Sequence, residues 1–228
     1  MKNYLIIVLA TLFSALSTSA QDCKVFIPDT EGMKLEYEMK NAKGKLQGSY
    51  SQRLVAIEET GDTTVFKVEQ TSRDKKGNEI KNDFEFKCTG NKFIFDMDMF
   101  TNEQQMEAYK DMEMTMTADE IAFPADLKPG TTLKDGSMTM EVEAGAMTMT
   151  FATEITNRKV LAIEEITTEA GTFECFKVSQ DIESKVAFAK IFQSSVLWYT
   201  ENIGLIRSEA YNKKGKLQSV TELLNIVK

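Results

Sequence analysis

The sequence predicts a mainly β protein: an antiparallel, strongly curved sheet or half-open β-barrel with one short helix, built in part from a repeated hairpin unit. Three observations carry this. Turn signals centred on Gly and Asn recur at Asn41–Lys45, Glu59–Asp62, Asp74–Asn78, Thr89–Asn91, Lys128–Gly130, Lys134–Gly136, Glu143–Ala146, Glu169–Gly171 and Asn212–Lys216. Gly and Asn reach positive φ there at little steric cost. The runs between turns are rich in Val, Ile, Thr, Phe and Tyr, the mark of closely spaced antiparallel hairpins. Finally, the chain echoes itself: LVAIEETGDTTVFKVEQ at Leu54–Gln70 returns as VLAIEEITTEAGTFECFKVSQ at Val160–Gln180, and KGKLQ at Lys43–Gln47 returns at Lys214–Gln218. Ala56 then matches Ala162, and Phe66 matches Phe176.

Read in order, the chain begins with a leader. Lys2 is a positive start, YLIIVLATLFSAL is an apolar core, and Thr18 and Ala20 are small residues before Gln21. This is the pattern of a secretory signal peptide cleaved near Ala20, too short for a membrane anchor. Ala20, Gln21 and Asp22 before Cys23 do not fit a lipobox. The expected product is one β-rich domain over 21–228, with halves at 21–125 and 126–228, exported to the periplasm or the cell exterior. No later run approaches the roughly 20 apolar residues of a spanning helix, so an integral membrane protein is not expected. Export brings an oxidising compartment, where two of Cys23, Cys88 and Cys175 are expected to pair. Joining Cys23 to Cys88 would tie the new N-terminus to the first sheet and leave Cys175, inside the strand TFECFKV, as a buried thiol.

The helix is expected at 102–112. Thr101 or Asn102 can cap it, acids and amides fill its first turn, and Met106, Tyr109 and Met112 share a face. Beyond it the methionines concentrate: ten of the thirteen fall between Met97 and Met149. In a strand, residues i and i+2 face the same way. Met112, Met114 and Met116 therefore form a stripe, and Met138 and Met140 share a face with Val142. The turn at 144–146 returns Met147, Met149 and Phe151 to that face. Three readings follow. These residues pack an ordinary core, line an adaptable cavity for a lipid-like or otherwise apolar ligand, or hold Cu(I) through thioether sulfur. The alternation with Thr and Glu is what a strand demands, which weighs against the metal.

Composition removes other functions. The chain has no histidine, so no Ser-His or Cys-His pair and no imidazole base exist. Mixed zinc sites with His are excluded, the cysteines lack CxxC spacing, and the glycines are single turn residues rather than a phosphate cradle. Pairs such as Glu58 with Glu59, or Asp96 with Asp98, look no different from surface acids. A formal charge of −8 with scattered lysines makes the chain a poor candidate for nucleic acid, whose phosphates need a basic face. The expectation is a non-enzymatic protein without a cofactor or resident metal.

The chain closes with VLWYTENIGLIRSEAYNKKGKLQSVTELL, in which Trp198 either packs on Leu205 and Ile206 or floors a ligand site. These residues, with AGTFECFKV and FPADLKPGTTLKDGSMTM, resemble the TapB-like exported proteins of Bacteroidetes from about Cys23 to the end. That resemblance implies export and fold, not activity. The order Trp-Tyr, turn, Gly-Leu, charged strand, Gly hairpin is also similar to the LolA/LolB-type lipoprotein carriers. It implies a half-open barrel with helices across its mouth and an acyl-chain cavity, although this chain offers a single helix as a lid.

The sequence thus points to an exported binding protein with an apolar cavity for a hydrophobic small molecule or lipid. The candidate wall is Met112, Met114, Met116, Met138, Met140, Met147, Met149, Phe151 and Trp198. The alternatives are a structural or assembly protein contacting an envelope partner, and a Cu(I)-binding protein.

Overall fold

The computed structural model describes residues 23–96, 112–145, 147–186 and 189–228. The leader over 1–20 and all but the last residue of the helix expected at 102–112 lie outside these, and no helix occurs among the described residues. The strands are β1 (Lys34–Asn41), β2 (Leu46–Thr60), β3 (Thr63–Asp74), β4 (Glu79–Thr89), β5 (Lys92–Asp96), β6 (Glu113–Ala118) and β7 (Glu120–Pro124), followed by β8 (Gly136–Ala144), β9 (Met147–Thr168), β10 (Gly171–Val186), β11 (Ala189–Thr200), β12 (Gly204–Asn212) and β13 (Leu217–Val227). They form one antiparallel sheet in the order β6-β8-β9-β10-β11-β12-β13-β1-β2-β3-β4-β5-β7. The sheet curls into a nearly closed barrel with one unsealed seam.

The repeated sequence folds as a repeated structure. Leu54 pairs with Val68 and Ile57 with Phe66 in the β2–β3 hairpin, as Val160 pairs with Val178 and Ile163 with Phe176 in β9–β10. Both hairpins shift register at the same place, skipping Val55 in one and Leu161 in the other. The segments before them match too: Gly32 N donates to Leu54 O and Leu54 N to Met33 O, while Gly130 N donates to Val160 O and Val160 N to Thr131 O. Strands β1 to β5 in one half therefore correspond to β8 to β12 in the other.

This correspondence explains the seam. At one junction of the halves a single strand, β13, pairs with β12 over residues 217–222 and with β1 over residues 219–227. At the other junction the equivalent run is divided: β6 pairs only with β8, and β7 only with β5. Asp119 makes the break. Its carboxylate accepts from the Ser137 N (3.0 Å) and Oγ (2.7 Å), and these donors hold its pKa below the usual value.

Three turns share one design. Asn41 Oδ1 accepts from the backbone of Lys43 and Lys45, Asn212 Oδ1 from Lys214 and Lys216, and Asp74 Oδ1 from Lys76 and Asn78. Each is an Asx turn completed by a glycine at φ +74, +69 or +87. Antiparallel pairing puts all three at the same end of the barrel, so Lys43, Lys45, Lys75, Lys76, Lys213, Lys214 and Lys216 are exposed along one rim. The turns at Gly61, Glu169 and Glu201 lie at the other end.

That other end is closed by the segment Cys23–Met33. Phe26 is 2% exposed, with ring centroids of Phe123, Phe176, Phe93 and Tyr199 at 5.0, 5.9, 6.1 and 6.2 Å. The main core gathers around it: Leu54, Phe66, Val68, Phe86, Leu127, Leu133, Val160 and Val178. Two devices hold the segment. Cys23 is bonded to Cys88, with Cα atoms 6.1 Å apart and a sequence separation of 65, and Val25 O accepts from Asn202 N at 2.8 Å. The fit is tight at Gly204. Its φ is +112, and a Cβ there would lie 2.7 Å from Phe26 O. A smaller second core joins Leu35, Tyr37, Cys175, Trp198, Ile206 and Leu223.

Replacing Cys23 and Cys88 by Ser is expected to lower unfolding free energy by about 2–5 kcal/mol, the range for loss of a native disulfide, read from guanidinium melts. Gly204→Ala combines positive-φ strain with the clash on Phe26 O and is expected to cost at least about 2 kcal/mol, again by chemical denaturation.

Candidate functional site

Above the plug the barrel lumen holds a half-open cavity of about 360 Å³. Its lower lining is aromatic: Phe26, Phe86, Phe95, Phe123 and Tyr199. Its wall is aliphatic at Ile121, Ile155, Ile182 and Leu197, and its polar groups are Gln52, Gln180, Gln193, Ser195, Ser208, Glu209 and Arg158. The volume is at the small end of ligand sites, and the mixture of an apolar wall with a few convergent polar groups is their usual chemistry. The lining comes from both halves of the chain. It lies between the plug and the lysine-bearing turns.

Arg158 is the unusual member. It is 2% exposed. A bulge aims it inward: Asn157 has φ +53, and the β9–β10 register shifts between Ser179 and Asp181. Asn157 is anchored by its amide, which donates to Asp181 Oδ2 at 2.8 Å. Bulges re-aim side chains in this way. The guanidinium donates from Nη1 to Lys134 O at 2.7 Å and lies 5.4 Å from the Phe123 ring centroid. Its Nε has no partner, and neither does Ser195 Oγ in the same cavity. Burial pushes the Arg158 pKa down to about 10, against a smaller opposing pull from Tyr199 and Asp135. It is still charged at neutral pH. Glu209, by contrast, is tied to Arg207 at 2.6 Å and also accepts from the Tyr211 hydroxyl.

The methionine-rich strands lie side by side. Cross-strand pairing sets Met114 opposite Val142 and Met116 opposite Met140, then Val142 opposite Met149 and Met140 opposite Phe151. One face of β6-β8-β9 therefore carries Met114, Met116, Met138, Met140, Met147, Met149 and Phe151. Burial along it is uneven: Met138 and Met140 are buried, Met114, Met149 and Phe151 half-buried, and Met112, Met116 and Met147 exposed, Met147 by 62%. Met138 packs with the cavity residues Ile121 and Ile155. The residues lining the 360 Å³ cavity include none of these methionines, nor Phe151, nor Trp198.

Trp198 is buried in the second core with Ile206, beside Leu205. Its indole donates to Glu164 Oε1 at 2.6 Å, and Lys177 lies 5.1 Å above its ring. The indole proton is the main reason the Glu164 pKa is lowered. Cys175 is fully buried, and burial pushes its thiol up to about 12. A further groove of about 510 Å³ crosses the outer face of β9 to β12 and is lined largely by polar groups, among them Glu154, Asn157, Asp181 and Lys213. No group of three or more Cys, Asp or Glu side chains suited to a metal ion occurs among the described residues.

The residues sequence reasoning missed are the aromatic lining and Arg158. The first had a signal. Phe84 and Phe86, then Phe93 and Phe95, alternate as inward residues of adjacent strands. The second was readable in part, because Arg158 is in phase with the inward Val160, but the bulge at Asn157 breaks that phase with Ile155.

The chain belongs to the DUF3108-like family, whose model matches residues 30–223. Two solved structures share the fold. One, from Parabacteroides distasonis ATCC 8503 and described as a lipoprotein, is 26% identical, with a TM-score of 0.75 over 91% of this chain and 100% of its own. The other, from Bacteroides fragilis NCTC 9343 and described as exported with a YmcC-like fold, is 24% identical, with a TM-score of 0.73 over 90% of this chain and 100% of its own. None of the curated proteins compared matches the chain. No helix among the described residues is long and apolar enough to cross a membrane.

Burial also sets the alkaline behaviour. It raises Tyr199 to about 12, and raises Tyr37 and Tyr50 well above the usual tyrosine range. Above about pH 9 the unfolded chain releases these protons and the Cys175 proton while the folded chain keeps them, so stability falls as pH rises. Arg158 acts in the opposite sense, as one group against four. Urea melts stepped from pH 8 to 11 are expected to show a falling midpoint, and a thiol reagent at pH 8 is expected to leave Cys175 unmodified until the protein unfolds.

Proposed function

We propose that this is an exported, non-enzymatic binding protein whose barrel lumen takes a small lipid-like or amphipathic molecule. The observation that carries the reading is the cavity of about 360 Å³, with its aromatic floor, aliphatic wall and few polar groups. A disulfide-tied plug keeps that floor in place, and a folded chain of this size has no packing reason to leave such a volume unfilled. Export is supported by the leader residues Lys2 to Ala20 and by the descriptions of the two structural relatives as exported protein and lipoprotein. The TapB-like resemblance adds the same envelope setting, and the LolA/LolB-type likeness adds the idea of a carried acyl chain.

A second reading has its own observation. Among the described residues, β6 and β7 each leave one edge unpaired at the seam, and such edges accept a strand from a partner. This fits an envelope assembly protein without a small ligand.

Native mass spectrometry of protein purified from its own host separates the two. The expected result is a co-purified molecule of a few hundred daltons, lost on denaturation. A bare mass from every preparation, together with in-cell crosslinks to one constant protein through the seam, would favour the assembly reading.

A further inference from the structure

We infer that the lumen binds an amphiphile with an acid head, a carboxylate or a phosphate monoester, and that Arg158 is its anchor. This rests on the lumen-binding reading above and names the class of molecule.

The charge at Arg158 is a choice the fold does not need. In the matched hairpin its position is held by Gln52, which also lines the cavity and whose amide donates to Gln70 Oε1 at 2.9 Å. One half of the molecule thus fills this place with a neutral, partnered amide. The other half fills it with a buried cation and inserts a bulge to aim it. No salt bridge reaches Arg158 among the described residues. An unpaired buried charge is costly, and an arginine fork is shaped to grip a carboxylate or phosphate.

The neighbours complete the site. Of the three buried side-chain polar atoms without partners among the described residues, two, Arg158 Nε and Ser195 Oγ, belong to residues that line this one cavity. Both are donors an anionic oxygen would satisfy. The carboxylate that also lines the cavity, Glu209, is held by Arg207, which it shares with Glu222, and by the Tyr211 hydroxyl. Apart from the neutral Gln52, Gln180, Gln193 and Ser208, the rest of the wall is aromatic and aliphatic, which suits an apolar body and offers a polyanion no second cation. At about 30 Å³ per water-sized group, 360 Å³ holds roughly a dozen non-hydrogen atoms, about the size of decanoate.

The test is calorimetric titration of the exported protein, with its disulfide intact and stripped of endogenous ligand. The probes are decanoate, decyl phosphate, decan-1-ol and acetate. The expected result is binding of decanoate or decyl phosphate at least about tenfold tighter than decanol, the scale of a charged hydrogen bond, with no measurable acetate binding. Arg158→Gln, which copies the twin hairpin, is expected to bring the acid probe down to the decanol level without lowering the melting temperature of the empty protein. Arg158→Lys should recover part of the loss, and Ser195→Ala should cost a few-fold. Decanol binding as tightly as the acids, unaffected by Arg158→Gln, would overturn the acid-head inference and leave the lumen reading standing. Acetate binding as tightly as decanoate would overturn the amphiphile class. Failure of all four probes, with water alone in the cavity, would overturn both. If Arg158→Gln does not fold, the wild-type comparison of acid with alcohol and the Arg158→Lys variant decide.

Discussion

The seating of Phe26 among Phe93, Phe123, Phe176 and Tyr199 is the interaction on which the rest of the architecture depends. A curled sheet by itself is a tube. A floor makes it a vessel, and here the floor is a short irregular segment with few ladder hydrogen bonds of its own. Aromatic burial supplies its affinity for the tube. The covalent link to Cys88, the hydrogen bond from Asn202 and the missing Cβ of Gly204 supply its position. The residues that grip Phe26 come from both halves of the chain, so the plug also joins the two repeats.

Much of the fold was legible because hairpins are local. The Asx turns at Asn41, Asp74 and Asn212 announce themselves in four or five letters, and the alternation between them sets the strands. The repeat was legible for the same reason: Leu54, Phe66 and Val68 fill the same inward places as Val160, Phe176 and Val178. The seam was not legible. Whether a strand seals to both neighbours or divides between them is settled by long-range register, and the divided run at Asp119 carries no mark that β13 lacks.

The site was harder to read than the fold. Methionine spacing groups Met114 with Met116 and Met140 with Met149, as the strand pairing does, but period-two reasoning says which residues share a face and not how far along the barrel its core extends. Met140 is buried while Met147, on the same face near the lysine end, stands in solvent. Arg158 is hidden by the opposite problem. A one-residue bulge inverts the phase of a strand, and the Asn157 conformation that produces it has no reliable signature in a stretch reading ITNRKV. The chemistry of the lumen is thus concentrated where the regular pattern fails.

The position of the disulfide fixes a polarity. Cys23 is held beside the Thr89 turn, at the stoppered pole, while the three lysine turns ring the opposite pole. An anchor joined at Cys23 would therefore hold the stoppered pole against its support and present the lysine-bearing pole distally.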